Sequence, residues 1–398
     1  MTNSTPTKPK LIPKLRFKEF EGEWHKKKLR NISSFLDSKR IPLSQTERKT
    51  KKGKYPYYGA SGIIDYVQDF IFDGEYVLLG EDGANILMRN SPLAFIVSGK
   101  FWVNNHAHVI KANDSNKFLS ESLERIKYDK YNTGTAQPKL NAEVCKNIII
   151  PIPTLQEQQK IASFLTAVDT KIQQLKKKKE LLENYKKGVK QQLFSQQLRF
   201  KNDDGLDFPD WEKTKLKELS EPITKGTTPK KFIKKGVTFI KIEGIRGLRF
   251  NKEKCLFIKE ETHFKELKRS ILKVNDILFA IAGSVGKLGI VTKDLLPANT
   301  NQAFAIIRLK DLRYLEFIIQ VLNSRMMKKY IYQSISVGAQ PNLNLEQMGN
   351  FKFLLPSLKE QQKIANYLSA LDEKITNVEL QITNTQTFKK GLLQQMFV

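Results

Sequence analysis

The chain has 398 residues, enough for two or more domains of ordinary size, and its 40% hydrophobic content excludes a disordered protein. Lysine and arginine number 68 against 41 acidic residues, and the net charge of +27 favours a polyanionic partner, most often nucleic acid, over a merely basic protein from a lysine-rich proteome. Two cysteines, Cys145 and Cys255, are too few for a disulfide framework or a metal cluster, so both are expected to be buried free thiols.

The beginning of the chain shows no signal peptide, and no apolar stretch reaches the length of a membrane span. The protein is therefore expected in the cytoplasm, away from membranes. Residues 1–14 are mostly polar and contain prolines, which predicts a flexible arm before the first domain.

The first domain is predicted over residues 15–153, and it begins with the leading segment Leu15-Arg16-Phe17-Lys18 followed by Trp24. Short apolar runs bounded by glycine-rich turns indicate strands, and one helical stretch lies near 116–130. The strand-like runs are Tyr76–Leu79, Ala94–Val97 and Asn147–Ile150. This pattern predicts a compact mixed α+β domain.

Aromatic, hydroxyl and amide side chains near the turns of this domain are candidate DNA contacts, because they can meet sugar or base edges. The candidates are Tyr57, Tyr58, Ser61, Trp102, Asn104, Asn105 and His106. The alternative is that the tyrosines pack in the core and the amides cap turns. His106 and His108 alternate on one strand, but no third ligand cluster is near them in sequence, so no metal site is predicted.

A long helix is predicted over residues 154–197, just after Pro153. Its apolar side chains recur mostly in steps of four and three, which is typical of helices packed as a left-handed coiled coil. These seam residues are Ile161, Leu165, Val168, Ile172, Leu175, Leu182, Val189 and Leu193. Lys179 interrupts the seam, and this interruption either fixes the register, marks where something else docks or is a tolerated irregularity.

The same layout returns in the second half of the chain, at an offset of 203 residues (from 137 to 340). Gln137-Pro138-Lys139-Leu140-Asn141 returns as Gln340-Pro341-Asn342-Leu343-Asn344. A second domain is predicted over 198–356, with its own leading segment, and a second long helix over 357–398. The sequence thus predicts two α+β domains and two long antiparallel helices that pair with each other, an internal repeat with approximate twofold symmetry.

Charged, hydroxyl and amide groups at turns of the second domain are further candidate DNA contacts. They are Thr227, Thr228, Lys230, Lys241, Arg246, Ser284, Lys287, Asn299, Asn301 and Gln302. Arg246 is the preferred base-reading residue, because arginine can bind guanine through two hydrogen bonds. The turn around Ser284 and Lys287 either offers backbone N–H groups and a lysine to a phosphate or is a plain tight turn.

Several sequence motifs of catalysis are missing from the chain, although the pattern leaves a carboxylate–lysine set of nucleases open, since Glu-x-Lys arises by chance among so many lysines. Ile281 stands where a phosphate-binding loop of NTPases needs glycine, and Leu288 where it needs serine or threonine. The chain also has no Gly-x-Ser-x-Gly elbow and no glycine fingerprint for a nucleotide cofactor. No catalytic residue is predicted, and a binding protein is favoured. The alternatives are a stand-alone DNA nuclease and a coiled-coil scaffold whose basic domains bind RNA or a membrane surface.

Two variable α+β domains alternating with two long helices resemble the specificity subunit of type I restriction–modification enzymes. The resemblance runs from about Leu15 to Val398. The segments that carry it are Leu155–Ala162, Leu358–Ala365, Gln137–Asn141, Gln340–Asn344, Tyr57–Ile64 and Ile277–Lys287.

The resemblance implies a subunit without catalytic activity. Each variable domain would read one half of a bipartite, asymmetric site in double-stranded DNA, and the helices would set the gap between the halves. The repeated regions would hold two modification subunits, with restriction subunits joining the assembly. S-adenosylmethionine, ATP and Mg²⁺ are then expected on those partner subunits, and no cofactor on this chain. The candidate partner-binding residues are Gln137, Gln158, Gln159, Gln340, Gln361 and Gln362.

Overall fold

The computed structural model describes residues 10–334 and 342–398, which form two compact units. Among the described residues, unit 1 joins residues 10–177 to residues 378–398, and unit 2 comprises residues 178–334 and 342–377. Each unit therefore contains one part of each long helix, together with one of the two α+β domains that the sequence predicts.

Unit 1 contains a mixed sheet with helices packed against it. Its strands are β1 (His25–Lys28), β2 (Ser33–Phe35), β3 (Lys52–Gly59), β4 (Gly62–Val67), β5 (Phe72–Gly80), β6 (Ala94–Val103), β7 (Ala107–Ala112) and β8 (Ile149–Ile152). Its helices are α1 (Gln45–Thr50), α2 (Asn85–Met88), α3 (Asn116–Glu124), α4 (Ala142–Lys146) and the first part of the long helix α5 (Leu155–Phe194).

The main sheet of unit 1 has six strands in the order β2-β7-β5-β6-β3-β4, and β1 pairs with β8 in a separate two-stranded sheet. Neighbouring strands are antiparallel except for β3 and β6, which run parallel. Val77 and Leu79 of β5 point to the same face, where they join a core containing Trp24 and Phe118. The predicted strands Tyr76–Leu79 and Ala94–Val97 are confirmed, and the strand predicted over Asn147–Ile150 is β8, which begins two residues later.

Unit 2 is built from smaller sheets. Its strands are β9 (Glu212–Lys215), β10 (Thr224–Lys225), β11 (Val237–Ile240), β12 (Ile245–Arg246), β13 (Arg249–Phe250), β14 (Leu256–Ile258), β15 (Ile277–Ala280), β16 (Leu288–Ile290), β17 (Ala298–Thr300), β18 (Phe304–Ile307) and β19 (Lys352–Leu355). Its helices are α6 (Leu216–Leu219), α7 (Leu315–Leu322), α8 (Arg325–Ser334), α9 (Leu345–Gly349), the second part of α5, and the first half of the long helix α10 (Leu358–Met396), whose second half belongs to unit 1.

Two sheets form the centre of unit 2, one with the order β10-β18-β15-β16 and one with the order β14-β11-β17. Strands β11 and β17 are parallel, and their carboxyl ends therefore lie side by side. The pair β9–β19 repeats the pair β1–β8 of unit 1. The sequence prediction of a second α+β domain is confirmed.

The two long helices run antiparallel. In unit 1, Asp169 of α5 accepts a hydrogen bond from Lys389 of α10, with 2.8 Å between Oδ1 and Nζ. In unit 2, Tyr185 near the end of α5 meets Tyr367 near the start of α10, with 2.7 Å between the hydroxyl oxygens. The predicted seam residues of α5 are buried or half-buried, as are the residues 203 positions later in α10, so the predicted pairing is confirmed.

Each long helix begins with a buried glutamate held by an arginine and a tryptophan of the leading segment. In unit 1, Arg16 donates two hydrogen bonds to Glu157 (Nε–Oε1 2.8 Å, Nη2–Oε2 2.7 Å), and Trp24 donates a third from Nε1. In unit 2, Arg199 and Trp211 hold Glu360 in the same way. This repeated cluster, the glutamate clamp, explains why the leading segment and the helix start recur together.

Two of the predicted partner-binding glutamines belong to the same framework. Gln158 and Gln361 are buried, and each donates from Nε2 to the carbonyl of the proline that precedes its helix, Pro153 and Pro356. This burial contradicts the prediction that they contact partner subunits. Both cysteines are buried and free, as predicted.

The predicted flexible arm is anchored at its end. The backbone carbonyl of Leu11 accepts a hydrogen bond from the backbone N–H of Trp24 at 2.8 Å, and the Leu11 side chain packs on the core of unit 1. Residues 1–9 of the predicted arm lie outside the described residues.

Candidate nucleic-acid interface

In unit 1, four loop segments meet where strands β3, β5 and β6 end, and we call them the loop cluster of unit 1 (residues 59–62, 80–83, 104–106 and 137–140). Gly80 lies so close to the β3–β4 turn that an added Cβ would stand 2.9 Å from the carbonyl oxygen of Ala60. The N–H of Asn104 donates to the carbonyl of Tyr58, and the N–H of Glu81 donates to the carbonyl of His106. The cluster is therefore one connected surface.

The exposed side chains of this cluster lie in two turns, one between β3 and β4 and one between β6 and β7. Ser61, Asn105 and His106 are exposed, and Tyr58 is half-buried against Phe101. Burial raises the pKa of Tyr58, so its hydroxyl stays a neutral donor and acceptor. These four residues stay candidate DNA contacts.

The other three candidates in unit 1 are buried, which contradicts their predicted direct contact with DNA. The hydroxyl of Tyr57 accepts a hydrogen bond from the N–H of Leu43, and Trp102 donates from Nε1 to the carbonyl of Ile41. Asn104 uses its Oδ1 to accept from the N–H of His106, which fixes the turn. The alternatives of core packing for Tyr57 and turn capping for Asn104 are the correct ones.

A buried charge network supports the loop cluster of unit 1. His108 faces an acceptor on each ring nitrogen, the Asp37 carboxylate at 2.6 Å from Nδ1 and the Leu140 carbonyl at 2.8 Å from Nε2. Burial alone would lower the pKa of His108, but the hydrogen bond and charge of Asp37, together with the contribution of Cys145, outweigh burial and raise the pKa to about 10. Arg40 donates to both Glu81 and the Ala107 carbonyl and so links the network to the loops.

Unit 2 brings the corresponding segments together at the ends of β10, β11, β15 and β17, and we call them the loop cluster of unit 2 (residues 226–230, 280–287, 300–302 and 342–343). An added Cβ on Gly226 would stand 2.0 Å from the Thr300 carbonyl oxygen, so only glycine fits this approach. Thr228 donates from Oγ1 to Oε1 of Gln302 at 2.5 Å, and the N–H of Leu343 donates to the Ile281 carbonyl.

Most candidates of unit 2 belong to this cluster. Thr227, Thr228, Lys230, Lys287 and Gln302 are exposed, whereas Ser284 and Asn301 are partly exposed. Lys241 follows the ladder pair Ile240–Thr300 directly and so reaches the same end of the sheet. These residues stay candidate DNA contacts.

Two candidates of unit 2 stand apart. Asn299 is fully buried, where its amide bonds the His263 ring, the Leu267 carbonyl and the Ser270 hydroxyl, which contradicts a DNA contact. Arg246 is exposed on the separate β12–β13 hairpin, which is held to β16 through Leu248 rather than to the loop cluster.

The Gly-Ser-Val-Gly-Lys segment is the turn between β15 and β16. Gly283 and Gly286 have φ values of 71° and 92°, which favour glycine. The N–H of Gly286 donates to the Ala280 carbonyl and that of Lys287 to the Ser284 carbonyl, so both are already bonded within the turn. The tight-turn interpretation is correct for these two N–H groups, and the exposed side chain of Lys287 remains available to a phosphate.

Sequence reasoning missed that the Gln-Pro-x-Leu-Asn segments belong to the loop clusters. In unit 1, the Pro138 carbonyl accepts from the N–H of Gly83, and the N–H of Leu140 donates to the Glu81 carbonyl. In unit 2, Asn342 bridges to Ala282; Gln340 lies outside the described residues. The signal was present, because the Gln-Pro-x-Leu-Asn segment occurs once in each half.

Across residues 10–334 and 342–398, no three or more His, Cys, Asp and Glu side chains are grouped so that they could hold a metal ion. Over the same residues, no helix combines the length and apolar character needed to cross a membrane.

A family profile described as the type I restriction modification DNA specificity domain matches residues 21–184 and again residues 209–385. The type I restriction enzyme MjaVIII specificity subunit of Methanocaldococcus jannaschii is 26% identical over 385 residues, which cover 90% of this chain and 89% of that protein. A Haemophilus influenzae protein named as a type I restriction enzyme specificity subunit is 36% identical over 150 residues, or 37% of each chain.

Among solved structures, the S subunit of a type I restriction–modification system from M. genitalium has the same fold. It covers 97% of this chain and 99% of its own, with a TM-score of 0.61 at 17% identity. Because the family profile covers most of the chain in two copies, the protein belongs to the specificity subunits of type I restriction–modification systems.

Proposed function

We propose that this chain is the DNA-reading subunit of a type I restriction–modification complex. Each unit would read one half of a bipartite, asymmetric site in double-stranded DNA. The observation that carries the proposal is the loop cluster, which is built twice on the same framework but presents different side chains. Unit 1 presents Ser61, Asn105 and His106, whereas unit 2 presents Thr227 and Gln302 among others. Different donors and acceptors at base edges select different bases.

Charge supports the same proposal. The net charge of +27 supplies attraction to the phosphate backbone that is independent of sequence and sensitive to salt. Lys230 and Lys287 of the loop cluster of unit 2 are exposed, and both would contribute to this attraction directly. Phosphate contacts would position the units, and base contacts would select the site.

The helices would set the gap between the half-sites and dock two modification subunits. Gln159 and Gln362, one on each helix, are exposed, and Gln362 donates only to Asn366 on its own helix among the contacts of the described residues. Exposed aromatic rings also recur at the same repeat position, Tyr185 at 52% and Phe388 at 54%. A surface present in two copies suits two copies of one partner.

The chain itself would be non-catalytic and work in the cytoplasm, where DNA and its partners meet. S-adenosylmethionine would bind to the modification subunits, and ATP and Mg²⁺ to partner subunits, rather than to this chain. Purified chain incubated with duplex DNA and Mg²⁺ is expected to leave the DNA uncut.

The decisive experiment exchanges one reading domain and maps the methylated adenines. Residues 25–135 are replaced by the matching segment of another family member, and the complex is reconstituted with its modification subunits. One half-site should change while the other half-site and the gap stay the same. The matched exchange of residues 212–335 should change the other half-site alone. A change in both half-sites from either exchange would contradict separate reading by the two units.

A further inference from the structure

Most repeated residues of the Gln-Pro-x-Leu-Asn segment in unit 1 are explained by the fold. The Pro138 carbonyl holds the Gly83 N–H, and the Leu140 side chain is fully buried in the core. Asn141 directly precedes α4, and its carbonyl accepts the N–H of Cys145 within that helix. Gln137 is the exception, because its side chain is exposed and has no bond to another side chain or backbone group among the described residues.

Gln137 is nevertheless held in a fixed place. It lies on a short loop closed by Asn132, whose Oδ1 accepts from the N–H of Gly134 at 3.0 Å and from that of Lys139 at 2.8 Å. The N–H of Thr133 donates to the Lys139 carbonyl at 2.8 Å. A loop closed in this way presents its exposed side chains with little loss of conformational entropy when a ligand binds.

The loop stands beside the groups proposed to read bases. The N–H of Gly83 donates to the Pro138 carbonyl of this loop. The neighbouring Asp82 carboxylate contacts the His106 ring, with 2.8 Å between Nδ1 and Oδ2. The Nζ of Lys139 lies 3.6 Å from Oε1 of Glu81. Gln137 therefore belongs to the loop cluster of unit 1 and not to the helix surface that carries Gln159.

Residues that differ between the two units can read different bases, whereas a residue repeated unchanged must meet something that both half-sites share. Gln137 is repeated as Gln340. The sugar–phosphate backbone is the same in every half-site, and glutamine side chains are common donors to phosphate oxygens.

On the basis of the proposed function, we infer that the Gln137 side-chain amide donates a hydrogen bond to a DNA phosphate oxygen and so sets the position of unit 1 on the duplex. This replaces the expectation that Gln137 docks a partner subunit. The contact contributes affinity without sequence preference.

The test uses the full chain reconstituted with its modification subunits, and compares Gln137→Ala with wild type by fluorescence anisotropy on two duplexes. One duplex carries the cognate site, and the other has its first half-site scrambled. Loss of one hydrogen bond should weaken binding about two- to tenfold on both duplexes by the same factor. The methylated sequence should stay unchanged. Gln174→Ala, an exposed glutamine in the middle of α5, serves as the matched control and should bind like wild type.

Methylphosphonate substitution, which neutralises single phosphates, locates the contact. At one phosphate near the first half-site, it should weaken wild-type binding but cause no further loss in Gln137→Ala. A merely structural role for Gln137 would not produce this lack of additivity.

Three results would overturn the inference: weaker binding on the cognate duplex alone, which indicates base reading; loss of modification subunits at unchanged DNA affinity, which indicates docking; or no effect at all. If instead the wild-type complex fails to prefer the cognate duplex, the proposed function fails and not only the role of Gln137.

Discussion

Removing the glutamate clamp of unit 1 with Glu157→Ala should destabilise that unit selectively. The Glu157 side chain is only 1% exposed, and it accepts two hydrogen bonds from Arg16 and one from Trp24. After the substitution, Arg16 keeps only its bonds to the carbonyls of Glu21 and Gly22, and the Trp24 indole N–H loses its acceptor.

The expected magnitude follows from these contacts. Breaking a buried ion pair by removing one partner costs about 3–5 kcal/mol. Because Arg16 is 13% exposed and keeps two carbonyl partners, the lower part of this range is expected, about 3 kcal/mol. This is a large share of the stability of a typical domain, about 5–15 kcal/mol.

Hydrogen exchange followed by mass spectrometry can assign the loss to one unit. Peptides from 11–35 and 155–175 should lose protection in Glu157→Ala, whereas peptides from 199–215 should keep it. Glu360→Ala removes the equivalent clamp and should give the reverse pattern. Glu183→Ala is the control, because this helical glutamate is exposed and its ion pair with Lys179 spans 3.8 Å; it should change stability by less than about 0.5 kcal/mol.

Two outcomes would refute this reasoning. If Glu157→Ala costs less than about 1 kcal/mol, the clamp contributes no more than an ordinary hydrogen bond. If protection falls equally in both units, the clamp does not act within its own unit.

Three further predictions concern pH, salt and the gap. The pKa of His108 in the folded protein, about 10, lies above its ordinary value of 6.5. The stability that the His108–Asp37 network gives to unit 1 is therefore complete below pH 6.5 and is lost as the pH rises through about 10. Urea unfolding at several pH values should show this loss of stability, and His108→Gln should make the pH dependence weaker. Lys287→Ala should weaken binding to every duplex and lower the slope of log affinity against log salt by about 1, as measured by titration at several salt concentrations. Deleting 178–184 and 374–380, one heptad from each helix, removes about 10 Å, and methylation mapping should show a gap about three base pairs shorter.

Periodicity in the sequence was enough to predict the helices, because each helix satisfies its own backbone hydrogen bonds and buries a stripe that recurs every three or four residues. Strands were predicted from short apolar runs for the same local reason. The pairing of the strands was not accessible in this way, since the pairing of β3 with β6, for example, joins residues 45 positions apart, Tyr57 and Trp102.

The exposure of single side chains was the weakest part of the sequence prediction. Tyr57 and Tyr58 are adjacent in a strand, so they point to opposite faces, and the sequence does not say which face is buried. Asn299 could be expected at a surface from its polarity, yet the His263 ring, the Ser270 hydroxyl and the Leu267 carbonyl satisfy its amide inside the core. Burial of a polar group is decided by partners that are distant in sequence.

The glutamate clamp could have been found from the sequence. Arginine, tryptophan and glutamate recur together in both halves, although 141 residues separate Arg16 from Glu157. Residues repeated together in a divergent pair of domains are candidates for mutual contact, and buried arginine usually needs a carboxylate. Comparison of the two halves also distinguishes two kinds of repeated residue. Glu157 is repeated because it bonds to Arg16 and Trp24 within the fold, whereas no contact within the described part of the fold explains why Gln137 is repeated.

The framework of unit 1 also determines where its reading domain can be exchanged. Phe397 of the second half stacks on Phe118 with ring centroids 5.2 Å apart, and the N–H of Leu15 donates to the Gln395 carbonyl at 2.9 Å. The core of unit 1 is therefore completed by residues more than 200 positions beyond the reading loops. An isolated fragment 15–153 would expose this apolar surface to water, which opposes folding. Exchange of residues 25–135 retains Trp24, Glu157 and Phe397, so a new set of reading loops can be placed on an intact framework.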